Sequence, residues 1–237
     1  MTPIRSLSLA CSALAAPALA LVAANVAPRP GGEVRLEIAK IRWEYNSTDV
    51  DLGVQVSLDG EDWKSLDIRN PDGQVIFTVK GKGPYQELGL TELFFEGAEP
   101  TLDEVPLEDL LARFPEGTYE FSGKTVDGES IEGEARFTHA IPAGPDVTVD
   151  VGPGDLLRIH WDPVTGTPPG FPDEPIDVVS YQVLVDETFD VIVPASVLGV
   201  TVTPEFVATL EPGAHAFEVL AIDRSGNQTI TEGTFVR

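Results

Sequence analysis

The chain has 237 residues, with 39 Asp and Glu against 15 Lys and Arg and a formal net charge of −24. A field of that sign repels nucleic acid and anionic membrane surfaces, while it suits solvated carboxylates, divalent cations or basic partners. The single cysteine, Cys11, excludes an intramolecular disulfide and a thiolate zinc centre, so stability must come from packed apolar cores.

In chain order, Arg5 precedes an apolar, Ala-rich run from Leu7 to Ala24, with small-residue cleavage sites at Ala18-Leu19-Ala20 and Val22-Ala23-Ala24. That layout predicts a secretory signal peptide over 1–24, followed by a Pro/Gly linker over 25–32. An uncleaved anchor is the alternative, against which Pro17 weighs. No later run reaches spanning length, so no transmembrane span is expected in the mature chain. The expected location is periplasmic or extracellular, in a bacterial setting.

Residues 33–142 read as a β-sandwich domain. Apolar residues alternate through Val34, Leu36 and Ile38, then Ile41, Trp43 and Tyr45, then Val54, Val56 and Leu58, and again through Val75, Phe77 and Val79. Asp59-Gly60, Asn70-Pro71-Asp72-Gly73 and Asp127-Gly128 read as turns between strands. One segment, 106–114, has apolar residues at helical spacing (107, 110, 111 and 114) with Pro106 at its start, and predicts a short helix. Asn46, Asp49 and Asp51 place side-chain oxygens close together and form a candidate Ca²⁺ site, against ordinary turn acids. Trp63 follows an acidic turn and is a candidate exposed aromatic for a ligand face.

Residues 143–237 carry an ordered set of motifs. Leu157-Arg158-Ile159-His160-Trp161-Asp162-Pro163 comes first, followed by Tyr181-Gln182-Val183, Leu210-Glu211-Pro212-Gly213 and Asp223-Arg224-Ser225-Gly226-Asn227. In that order and spacing this half resembles a fibronectin type III domain. The resemblance implies a second antiparallel sandwich with Trp161, Tyr181 and Leu210 as structural core positions. It also implies a corner residue after the Leu-x-Pro-Gly motif, where the family usually has tyrosine and this chain has His215, one residue early. The long loop 165–175 is stiffened by prolines and holds Phe171, a candidate binding residue unless its ring folds back onto the sheet.

The fold class is therefore all-β, with two antiparallel sandwiches, the first carrying one short helix. The histidines His139, His160 and His215 lie far apart in sequence, and no nucleophile–base pair or phosphate-cradling loop is recognisable. The expected function is non-catalytic: an exported protein of the bacterial envelope or exterior that recognises a protein or glycan, with no cofactor other than possible Ca²⁺. The alternatives are a carbohydrate-binding accessory protein and a hydrolase with a carboxylate site in the first domain.

Overall fold

The computed structural model describes residues 33–186 and 188–237, so the expected leader and linker lie outside the described residues. The first half contains β1 (Glu33–Arg35), β2 (Ile38–Asn46), β3 (Asp51–Arg69), β4 (Val75–Lys80), α1 (Pro84–Leu88), β5 (Leu90–Glu96), α2 (Leu107–Arg113), β6 (Gly117–Thr125) and β7 (Ser130–Phe137). The second half contains β8 (Val147–Gly152), β9 (Leu156–Trp161), β10 (Val178–Val185), β11 (Phe189–Pro194), β12 (Gly199–Val202), α3 (Pro204–Val207), β13 (Ala214–Asp223) and β14 (Gln228–Val236). No helix among the described residues is long and apolar enough to cross a membrane.

Alternating burial drives both halves into antiparallel sandwiches. Ile41, Trp43, Val54, Val56, Leu66, Ile68, Phe121 and Phe137 belong to one buried cluster. Leu157, Ile159, Trp161, Tyr181, Val183, Phe217 and Val219 belong to a second. In the latter the Trp161 and Tyr181 rings lie 5.1 Å apart, and the Tyr181 hydroxyl accepts the Val164 N–H at 2.9 Å. The second half thus has a fibronectin type III-like build, a β12-β9-β8 layer against a layer of β14, β13, β10 and β11.

Besides a second short helix in the first half, α1, where one was expected, two features depart from the sequence reading. Asp59-Gly60 is not a turn. β3 runs through it as one 19-residue strand, pairing with β2 and β5 at its start and with β4 and β6 at its end. The bend lets one strand serve both layers, so its early and late apolar runs enter one core; Gly60 sits against Leu36, where a side chain would crowd.

The second departure is that the two halves share a sheet. β14 pairs with β2 in parallel, Gln228 with Glu44, Thr229 with Tyr45 and Ile230 with Asn46. A layer therefore continues from β5 through β3, β2, β14, β13 and β10 to β11. Paired residues point to the same side of a sheet, so Tyr45, Thr229 and Ala221 share a face. Both cores consequently pack on one face of this common layer.

A local repeat links the halves. Phe114, Gly117, Tyr119 and Phe121 match Leu210, Gly213, His215 and Phe217 in spacing. Each glycine has positive φ, 142° and 154°, a conformation costly for other residues. The Tyr119 hydroxyl donates to the Pro115 carbonyl at 3.1 Å, and His215 Nε2 contacts the Glu211 carbonyl at 2.6 Å, in both cases four residues back.

Candidate functional site

The junction between the halves is built around Asn227. The preceding turn is set by Asp223, whose carboxylate accepts the Ser225 N–H at 2.8 Å and the Asp177 N–H at 2.6 Å. Gly226 then takes φ 94° and delivers Asn227 into the interior, 1% exposed. Its Oδ1 accepts the Trp43 N–H at 2.9 Å, and its Nδ2 donates to the Thr138 and Ala140 carbonyls at 2.9 and 3.0 Å. One side chain thereby ties β2, the connecting segment and the β13–β14 hairpin. The Thr229 hydroxyl donates to the Pro142 carbonyl at 2.5 Å, and the Ser47 hydroxyl to the Ile230 carbonyl at 2.7 Å.

Phe171 belongs to this junction, half-buried with its ring turned toward the first domain. Its ring lies 4.8 Å from that of Tyr45 and packs against the first core. Trp63 is not an exposed aromatic, being fully buried. Register shifts on both sides of it, between Asp59 and Trp63 and between Trp63 and Ser65, turn the ring inward despite its acidic neighbours. Trp161, Tyr181, Leu210 and His215 lie in or beside the second core.

Of the three candidate Ca²⁺ ligands, Asn46 is engaged within its own turn and with Glu232. Asn46 Oδ1 accepts the Thr48 and Asp49 N–H groups at 2.9 and 3.2 Å, and its amide donates to Glu232 at 2.9 Å. Asn46 is a turn-former, Asp49 is exposed, and Asp51 is half-buried on β3. The side chains that do converge are Glu44, Glu96 and Glu99, with one carboxylate oxygen of each lying within 4.8 Å of the others. Glu44 and Gly53 are cross-strand partners, and the missing Gly53 side chain leaves room for Glu99; a Cβ there would meet Glu99 Cγ at 2.5 Å.

Gln228 donates to Glu44 across the junction, and Gln55 donates to Glu96 at 2.7 Å. Arg42 in turn donates to Gln55 Oε1 through Nε at 2.8 Å and Nη2 at 2.6 Å. Burial pushes the Glu44 carboxyl up to about 7, with Glu96 adding to the rise and Gln228 opposing it. Burial, then the charges of Glu96 and Glu44, pushes Glu99 up to about 8. Burial and the charges of Asp49, Glu232 and Glu96 raise Asp51 to about 6. Among the described residues Glu44, Glu96 and Glu99 are the carboxylates near enough to share a cation. Burial and crowding favour the protonated forms of Glu44 and Glu99.

A cleft of about 600 Å³ opens at the junction, with Glu116, Arg136, Glu174, Asp177, Arg224 and Ser225 among its walls. Arg224 Nε contacts Asp177 at 2.5 Å, while Arg136 stands exposed at the end of β7. Glu44, Asp51 and Glu99 are not among the residues lining this cleft. The junction role of Asn227 and the Glu44 cluster were not signalled in sequence: the former is only the last residue of the Asp223-to-Asn227 motif, and the latter are three acids among 39.

No family model matches this chain, and no curated protein matches it. Among solved structures it is similar to the two-domain fibronectin type III segment of chicken tenascin. That likeness has 11% identity and a TM-score of 0.30, and covers 85% of this chain and 99% of that one. It is also similar to the 1.5-MDa bacterial ice-binding adhesin, at 13% identity and TM-score 0.28, covering 86% of this chain and 64% of that one. A third likeness is to the Clostridium perfringens spore cortex lytic enzyme SleM, at 13% identity and TM-score 0.33. It covers 40% of this chain and only 28% of the enzyme. At these values the likenesses carry no argument about function, and the β-sandwich class rests on the strands themselves.

Proposed function

We propose that the chain is a non-catalytic, exported protein of the bacterial envelope or exterior, a two-sandwich module that binds a protein or glycan through a fixed geometry. The observation that carries this reading is the junction. β14 joins β2 in one sheet, and Asn227 bonds to three backbone groups of the other half. Holding the halves rigidly lowers the ordering cost of binding a partner across them. The junction cleft then offers exposed Arg136 beside Glu174 and Asp177 to a partner of mixed or basic charge.

Two alternative readings lose support. A carbohydrate-binding platform needs exposed aromatics, and of Trp43, Tyr45, Trp63 and Tyr85 only Tyr85 is exposed. A hydrolase needs its raised carboxylates facing a cleft, whereas Glu44 is buried beneath Gln228. The test is capture from envelope extract and a glycan array with the wild-type protein and the double variant Arg136→Glu, Glu174→Lys. Partner recovery by the wild type that the variant loses supports the reading. No reproducible partner, or equal recovery by both, overturns it.

A further inference from the structure

The first sandwich closes its corner with a tyrosine and the second with a histidine, and the two side chains differ in how many protons they bring. The Tyr119 phenol has one proton and one acceptor, the Pro115 carbonyl. His215 has two ring nitrogens, and each faces an acceptor. Nε2 meets the Glu211 carbonyl at 2.6 Å, and Nδ1 meets the carboxylate oxygen Oδ2 of Asp186. A neutral imidazole has a single N–H and would set a lone pair against one of these oxygens; only the imidazolium donates to both. The Asp186 carboxylate is itself held in place, because Oδ1 accepts the Ala216 N–H at 3.0 Å.

We infer that His215 is a charged clamp, an imidazolium that ties the turn after β10 to the segment entering β13, and that its loss of a proton releases this end of the second sandwich. The charged neighbours come from three directions. Asp186 faces it from the β10–β11 turn. Glu211 faces it through its backbone carbonyl. Arg237, at the end of β14, opposes the positive charge while being held by Asp155 at 3.2 Å and by the Leu210 carbonyl. The Phe235 ring lies 5.6 Å away and covers one side. The bond to Glu211, then the bond to Asp186, raises the His215 pKa above its ordinary 6.5. A raised histidine stabilises fully below about 6.5, the unfolded value, and that contribution is lost as pH climbs through the folded value. The phenol of Tyr119, raised by burial to about 12, stays neutral throughout this window, so only the second corner responds.

The test is a ¹⁵N-imidazole NMR titration of the full-length protein and of Asp186→Asn, with thermal unfolding of wild type and His215→Tyr across pH 5.5–9. The expected result is imidazolium nitrogen shifts for His215 at pH 7, a midpoint above 6.5, and a lower midpoint in Asp186→Asn. The melting temperature of the wild type falls relative to that of His215→Tyr as pH rises. A midpoint at or below 6.5, or one that Asp186→Asn leaves unmoved, overturns the proposal. If the tyrosine variant does not fold, the Asp186→Asn titration still decides it.

Discussion

At the residue scale, a few buried polar side chains do work that their sequence neighbourhood does not announce. Asn227 sits in a Ser-Gly-Asn turn, where asparagine is ordinary, yet its side chain reaches Trp43, 184 positions earlier. Replacing it with alanine strands the Trp43 N–H and the Thr138 and Ala140 carbonyls in a buried seam. Unsatisfied groups of this kind cost about 1–3 kcal/mol each, less what water recovers. Urea unfolding of Asn227→Ala is expected to show a loss of about 3 kcal/mol. The raised carboxylates make a second prediction. Glu44 and Glu99 bind protons more tightly folded than unfolded, so folding favours the protonated state. Stability therefore falls as pH rises from about 4.5 to about 8. Glu99→Gln is expected to match the wild type at pH 4 and to exceed it at pH 8 by roughly 1–2 kcal/mol after solvent screening, read from paired denaturation curves.

At the element scale, most of the architecture was legible because half-buried strands alternate. The runs at Ile41–Tyr45 and Val75–Val79 became β2 and β4, and the spacing of Leu107, Leu110 and Leu111 became α2. What failed was the reading of breaks. A glycine after aspartate marks a turn when the chain reverses, and a bend when both flanking runs must reach one core. Asp59-Gly60 is the second case, and Trp63, placed outside by its acidic neighbours, went inside with the bend. Glycine elsewhere reports close approach: a Cβ on Gly123 of β6 would overlap the Ser65 carbonyl of β3. Because the obstacle is backbone, Gly123→Ala is expected to cost about 1–3 kcal/mol by thermal melting, as for other overpacking changes.

At the scale of the whole molecule, the two sandwiches read from sequence as two adjoining domains, 33–142 and 143–237. Their common sheet was hidden because strand pairing across 184 residues leaves no local pattern. With two cores packed on one layer, calorimetry of the wild type is expected to show a single unfolding transition. Asn227→Ala combined with Thr229→Val is expected to split it into two, with the second sandwich's component shifting with pH as the His215 clamp requires. A single transition in the double variant would show that the sheet alone couples the halves.

The parallel seam bears on how the edge of β2 comes to be covered. Among the described strands β14 follows the others in chain order, and it supplies the partner for one edge of β2, near the other end of that order. Until Gln228 to Ile230 arrive, that edge presents open N–H and C=O groups, the kind of template on which chains join one another. Closing a contact so distant along the chain is slow, so the exposed interval is long relative to the folding of either sandwich. A chain lacking the β13–β14 hairpin is therefore the aggregation-prone species, and that hairpin acts as the edge guard of β2.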